Sequence, residues 1–403
     1  MISQTWPSNQ RTLLSPYFSS PLYRHSWCPG QTSTVFLLLE TVPQNQPFTE
    51  VLGANFSDNM PPGSSSRSSK PKPSEVAAQT KRTTIPYIRK HYANTWPLYS
   101  YLFSNPLGFT PDQFPQRPLG LANPNFWIHT DDPVDLATSW SARNNNTRVA
   151  FICAANEKRP GGDWETGVVG YEERLCRRSS LSATIATPGP ASYVTGSHYP
   201  LHWAAGIYSD RVVVFRGPHD RYEERKTEDW RALPVVSVTP ISRPKLKDGG
   251  TRYSFDEERE MAKNKLRVAL SICAYNDIRN VVIGDFGLGN CYRNPPQEMA
   301  ELWREVFLWD TNLRGRIENV AFVFEDPTQS TMRLILEDAA KKNKSGGSSG
   351  GGSGKGKSKS SGSSSVPACP TDLAVFEHVF NPAEIQRVTQ QPDGRMGLGN
   401  LVC

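Results

Sequence analysis

Several features are missing from this 403-residue sequence, and each absence removes a class of function. The seven cysteines, Cys28, Cys153, Cys176, Cys273, Cys291, Cys369 and Cys403, fall singly. With no Cys-x-x-Cys pair and no histidine at ligand spacing, a zinc site is disfavoured. Several of these thiols stand in apolar runs, where free cysteine behaves as a small core residue. That usage fits a reducing, intracellular compartment, with cytoplasm and nucleus both left open. No apolar stretch approaches the ~20 residues that a membrane span requires. Val35-Phe36-Leu37-Leu38-Leu39 is too short to change this, and no basic lead with an apolar core marks a secretory signal. The phosphate-loop ending Gly-Lys-Ser/Thr is absent, and no glycine run has the nicotinamide-binding spacing, so ordinary nucleotide hydrolysis and hydride transfer are disfavoured.

Acidic residues are absent from 339–365, a stretch that holds Lys341, Lys342, Lys344, Lys355, Lys357 and Lys359. These six cations match the whole formal excess of +6, so the rest of the chain is near neutral. Direct nucleic-acid binding is therefore disfavoured, and the lysines read as a solvated linker.

Sustained hydrophobic periodicity is also missing from both ends. Residues 1–73 are rich in Pro, Ser, Asn and Gln, and 343–365 is nearly pure Gly, Ser and Lys. Neither composition buries enough apolar area to offset chain entropy. The expected organisation is a low-complexity region at 1–73, one large folded domain at 74–342, a flexible linker at 343–365 and a C-terminal segment, 366–403, that packs back on the domain. A monomer is expected.

What is present alternates between strand and helix. Short apolar runs at 149–155, 212–215, 235–238, 281–285 and 320–324 read as strands covered on both faces. A helix interrupted near Pro86 is expected from 74 to 92, and an irregular Pro- and aromatic-rich wrap from 96 to 127. Ser254-Phe255-Asp256-Glu257 has the spacing of a capping box, followed by Ala262, Leu266, Ala269, Leu270 and Cys273 at helical intervals. Pro295-Pro296 opens another helix, with Met299, Trp303, Val306 and Phe307 on one face, and 331–341 reads as a third. The fold class is α/β, a three-layer α/β/α domain with a mixed, mostly parallel central sheet.

Two segments carry candidate chemistry. After the first apolar run come Pro160-Gly161-Gly162-Asp163-Trp164, then Gly167-Val168, and then Glu172-Glu173 at the expected start of a helix. Glycine lets backbone amides approach a phosphate, and a helix N-terminus favours negative charge. Paired carboxylates suit a sugar whose anomeric carbon becomes positive. The second segment, Gly284-Asp285-Phe286-Gly287-Leu288-Gly289-Asn290-Cys291-Tyr292, follows another strand and precedes another helix. Ligands of α/β sheets bind beyond the carboxyl ends of strands, so two such loops can face one another.

Together these segments resemble the signature of microbial poly(ADP-ribose) glycohydrolases, a branch of the macrodomain superfamily. That family reads Pro-Gly-Gly-Gly, a variable loop, then Gln-Glu-Glu. The likeness covers 74–342, with a weaker echo in 376–401. It takes in Cys176-Arg177-Arg178-Ser179-Ser180, Tyr208-Ser209-Asp210 leading to Val213-Val214-Phe215-Arg216, and the 284–294 loop. Leu233-Pro234-Val235-Val236-Ser237-Val238 and Arg243-Pro244-Lys245-Leu246 make it most similar to the fungal members.

The resemblance implies a macrodomain that cleaves ribose–ribose O-glycosidic bonds of poly(ADP-ribose) and releases ADP-ribose, with no metal and no cofactor. It makes Glu173 the acid–base residue and gives Glu172 a ribose hydroxyl to hold. It assigns Gly161, Gly162, Gly167 and Val168 to one wall and Gly284, Gly287, Leu288 and Gly289 to the other, with Tyr292 beside the ligand. Poly(ADP-ribose) or ADP-ribosylated protein is the implied partner. Three positions depart from the family pattern: Asp163 replaces the third glycine, Tyr171 the glutamine, and Arg159 the asparagine, for which Asn156 is a nearby substitute. Arg159 is placed to pair with Asp163. The alternatives that these changes imply are an ADP-ribose-binding module with little or no turnover, or a hydrolase of mono-ADP-ribosyl substrates.

Overall fold

Side chains alternate between the two faces of a strand, so an apolar run without polar interruption needs cover on both. The computed structural model describes residues 70–116, 123–190, 192, 196–345 and 369–390. The chain divides into two units, Met1–Arg67 and Ser68–Cys403. The first lies outside the described residues, as does 346–368, so the low-complexity reading of 1–69 and most of the linker expectation fall there. In chain order the strands are β1 (Tyr101–Phe103), β2 (Asn125–His129), β3 (Val149–Ala154), β4 (Gly206–Val214), β5 (Arg231–Val238), β6 (Leu246–Lys247), β7 (Arg252–Tyr253), β8 (Asn280–Ile283) and β9 (Asn319–Val323).

Seven of these form one sheet in the order β1-β4-β5-β3-β8-β9-β2. β3 sits at its centre, parallel to β5 (Phe151 opposite Val235) and to β8 (Val149 opposite Asn280). Only β4 runs against its neighbours, so the sheet is mixed and mostly parallel. Every residue of β3 and β8 is buried. Ala150, Ile152, Ala154, Val281 and Ile283 share a cluster with Leu266, Leu270, Met299 and Trp303 from the Asp256–Tyr275 and Pro296–Trp309 helices. The Pro133–Arg143 helix packs against β3 and β8 as well, covering the other face.

Some local expectations need correction. Ser254 does not cap a helix: the helix starts at Asp256 after Phe255, without a side-chain cap. Glu258, one residue beyond the expected box, accepts instead from the Lys245 amide at 3.0 Å, and Asp256, Glu257 and Glu258 face the positive helix end. The wrap between 96 and 127 contains β1 and the start of β2, the two edges of the sheet. Nearby prolines masked them, and edge strands are where proline is tolerated. β4 extends well before Val212 because a register shift between Ser209 and Val212 absorbs the polar Asp210-Arg211 step. Ahead of Pro86 the helix widens into a π-turn over Thr80–Thr84, since proline has no amide to donate four residues back. The Thr331–Ser345 helix enters the expected linker by three residues.

The Asp372–Val379 helix closes the face beside β9. Phe376 and Phe380 lie against Phe322 with ring centroids 5.0 and 4.6 Å apart. Among the described residues no helix is long and apolar enough to cross a membrane.

Candidate active site

β3 and β8 are parallel neighbours, so the loops that leave their carboxyl ends emerge side by side. The first loop turns at Gly161 (φ +71°) and Gly162 (φ +54°), conformations that only glycine adopts without strain. Close packing makes the same demand. A Cβ at Gly161 would meet Trp164 at 2.8 Å and Cys176 Sγ at 2.9 Å, and one at Gly162 would overlap a Glu173 carboxylate oxygen. The second Glu173 oxygen lies equally close to Gly170, the residue before the Tyr171–Arg178 helix. Glu173 is thus wedged between two glycines, and the side chain remains partly exposed. Asn156 joins it: its Nδ2 sits 3.2 Å from where the Gly162 Cβ would be, while its Oδ1 accepts from the Lys158 and Arg159 amides.

Glu172 lies beneath. It is 1% exposed, and a carboxylate oxygen accepts from the Asn156 amide at 2.7 Å. Burial drives its pKa up to about 8, and the charge of Glu173 adds to this, against the stabilising amides of Asn156 and Gly161 and the Tyr199 hydroxyl. Glu172 therefore holds a proton at neutral pH. In this conformation its carboxyl is closed off from solvent.

Arg177 follows Glu173 by four residues, on the same face of the helix. It is buried, and its guanidinium donates to the carbonyls of Trp164 (2.8 Å), Thr166 (2.9 Å) and Val168 (2.6 Å). In a trans peptide the N–H points opposite to the C=O. Holding the Thr166 and Val168 carbonyls inward therefore turns the Gly167 and Val169 amides away from the core. Neither amide has a partner among the described residues, whereas the Val168 amide donates to Thr166 Oγ1 at 3.3 Å. Around Gly167 an added Cβ would meet nothing within 4 Å, so this stretch is open.

The second loop is also shaped by left-handed glycines, Gly287 (φ +80°) and Gly289 (φ +69°). Its amides are largely committed: Leu288 donates to the Asp285 carbonyl at 2.9 Å and Gly289 to Thr331 Oγ1 at 2.7 Å. Gly287 keeps an unpartnered amide among the described residues, its carbonyl being fixed by Asn294 Nδ2 at 2.7 Å. The Thr331 hydroxyl donates in turn to the Asp372 carboxylate at 2.6 Å, and the Gln329 amide nitrogen donates to both Asp285 (2.9 Å) and Asp372 (3.0 Å). No sequence motif pointed to this buttress or to the Arg177 clasp, because their members are separated by 9 to 44 residues. Tyr292, at the end of the loop, directs its hydroxyl to the Ala154 carbonyl at 3.4 Å, which brings the second loop over the start of the first. Cys291 and Tyr292 both feel the charge of Glu173.

The three departures from the family pattern have places too. Arg159 pairs with Asp163, so the extra carboxylate is compensated within the loop. Tyr171 lies against Gly284, 3.4 Å from where its Cβ would be, beneath the Arg174 guanidinium. Burial raises its phenol pKa, and the nearby Asp285 and Glu325 carboxylates add to it. Tyr171 therefore ties the two loops together from below. Trp164 is buried under the first loop and serves its packing.

Residues 77–217 match the family model described as microbial-type PARG, catalytic domain. No curated protein matches the chain. Among solved structures, the chain is similar to a poly(ADP-ribose) glycohydrolase from Thermomonospora curvata, with 17% identity and a TM-score of 0.48. That similarity covers 66% of this chain and 98% of the other. A second is the Deinococcus radiodurans poly(ADP-ribose) glycohydrolase in complex with ADP-ribose, with 19% identity, a TM-score of 0.43, and coverage of 64% and 98% respectively. The residues matched by the family model hold the first glycine turn, the Glu172–Glu173 pair and the Arg177 clasp, so the similarity to the microbial-type PARG catalytic domain falls on the first wall of the site.

Proposed function

We propose that this chain hydrolyses the ribose–ribose O-glycosidic bonds of poly(ADP-ribose), with Glu173 as the acid–base residue. The observation that carries this reading is the wedged Glu173 carboxyl, partly exposed between Gly162 and Gly170 beyond the carboxyl end of β3. As the C–O bond breaks, Glu173 gives its proton to the departing ribose oxygen and the anomeric carbon becomes oxocarbenium-like. Water then adds to that carbon, and Glu173 takes the proton back. Neutral Glu172 spares the pair a second negative charge and holds the Asn156 turn in place. The diphosphate lies between the outward amides of Gly167 and Val169 on one wall and that of Gly287 on the other. Gly161, Gly162 and Gly284 supply close approach, and Asn156 and Tyr292 flank the terminal ribose.

Release of ADP-ribose from purified polymer, by the full chain and by Glu173→Ala, tests the reading. Release that disappears on substitution supports it. Tight ADP-ribose binding without release, unchanged by the substitution, identifies a reader instead. Release from mono-ADP-ribosyl protein but not from polymer identifies the other hydrolase, and binding of neither ligand overturns the assignment.

A further inference from the structure

A cavity of about 860 Å³ opens beside the carboxylate pair, where the chain leaves β3 and β5. Asn156, Asp163 and Tyr292 form the wall that it shares with the proposed cleft. Residues 239–242, together with Lys265 from the Asp256–Tyr275 helix, form a wall that the cleft does not use. Two groups on this second wall are chemically incomplete. Lys265 is 6% exposed, yet among the described residues its ammonium makes no ion pair or hydrogen bond. Burial pulls its pKa down to about 8, and only the charge of Glu157 works against this. Thr239 Oγ1 is buried with no hydrogen-bond partner.

A buried cation without a direct ion-pair partner is costly, as is a buried orphan hydroxyl, and both costs are relieved by an anion arriving from outside. The remaining charges agree. Lys158, Arg159 and Lys265 outnumber the two lining carboxylates, Glu157 and Asp163, and Arg159 already neutralises Asp163. At the rim Trp203 leaves 48% of its surface exposed, a flat apolar face of the kind on which a nucleobase stacks. The volume is in the range of small-molecule sites and exceeds what a single phosphate needs.

We propose that this cavity is a second phosphoanion subsite, which takes the diphosphate of the ADP-ribose unit on the leaving side of the scissile bond. Lys265 and Thr239 meet a phosphate oxygen, and Trp203 lies under the base. The assignment rests on the polymer-hydrolase reading and adds to it a reason for preferring polymer over a single ADP-ribose.

The test uses the full chain and Lys265→Met. With purified polymer, KM rises about tenfold while kcat at saturation is kept, the loss expected for one charge-assisted hydrogen bond. The dissociation constant for free ADP-ribose stays within about twofold of wild type, and Lys265→Arg retains most of the polymer affinity. If Lys265→Met fails to fold, Trp203→Ala on the exposed rim makes the same comparison, with a several-fold rise in KM. An unchanged KM for polymer in the folded variant overturns the subsite. If the wild type releases no ADP-ribose, the hydrolase reading has failed separately. Inorganic pyrophosphate titrated into chain saturated with ADP-ribose then decides the subsite: a second binding event lost in Lys265→Met supports it, and no second event overturns it.

Discussion

Adjacent glutamates in one helical turn here meet opposite surroundings. Glu172 is sealed from water and Glu173 is not, so one is held neutral while the other faces the cleft. Glu173→Gln keeps the shape and removes the proton transfer. Release of ADP-ribose from polymer falls by a factor of about 10² to 10⁴, with the unfolding midpoint preserved. Gly162→Ala acts on the same atom from the other side. Its Cβ displaces the Glu173 carboxyl, and a displacement of that kind costs about a hundredfold in kcat. Glu172 makes a separate mark on stability. Its folded pKa, about 8, lies above the ordinary carboxyl value of 4.5, so the folded state binds its proton more tightly. That stabilisation is complete below the ordinary value and is lost as pH rises through about 8, with a slope of at most about 1.4 kcal/mol per pH unit. Glu172→Gln stays neutral throughout, so its denaturation midpoint falls less steeply than that of the wild type between pH 6 and 9. Parallel curves for the two proteins would show that the burial of Glu172 has no energetic effect.

At the scale of elements, the Tyr171–Arg178 helix carries the acid on one turn and the clasp for its own preceding loop on the next. The guanidinium fork satisfies three loop carbonyls at once, a task for which the single ammonium of lysine has the wrong geometry. Arg177→Met leaves those carbonyls unpaired. The expected result is a stability loss of roughly 3 kcal/mol and ADP-ribose binding weakened by at least about tenfold as the Gly167 and Val169 amides lose their direction. Calorimetric titration of Arg177→Met and Arg177→Lys checks this, and full binding by the lysine variant would rule out the fork. This level of organisation was only half legible in the sequence. The glycine turns, the acid pair and the central strands announced themselves, because each is a contiguous pattern with a local physical cause. Arg177 stood in plain view within a matched string, but nothing local says where a guanidinium will point. The second loop misled in a different way. Gly287, Leu288 and Gly289 read as equivalent amide donors, yet folding commits two of the three to Asp285 and Thr331.

Over the whole molecule, the C-terminal segment joins the rest through contacts that no periodicity could reveal. Asp372 receives the Thr331 amide at 2.8 Å and its hydroxyl at 2.6 Å, and that hydroxyl in turn receives the Gly289 amide. A residue beyond the Gly/Ser/Lys stretch thereby fixes a loop of the cleft, while Phe376 and Phe380 seal the apolar face beside it. The composition of 346–368 marks a connector, and a connector contributes little energy of its own. Two perturbations separate the connector from what it connects. Removing six residues from 350–360 changes only loop-closure entropy, by under ~0.5 kcal/mol. Asp372→Ala instead leaves the Thr331 amide and hydroxyl without their acceptor in a buried place, at a cost of about 3 kcal/mol. It also frees Gly289, so affinity for ADP-ribose falls along with stability. Denaturant midpoints and ADP-ribose titrations on both variants read the difference directly. Equal, small effects from the two changes would mean that the segment merely lies against the domain; a large effect confined to Asp372→Ala makes it part of the cleft's framework.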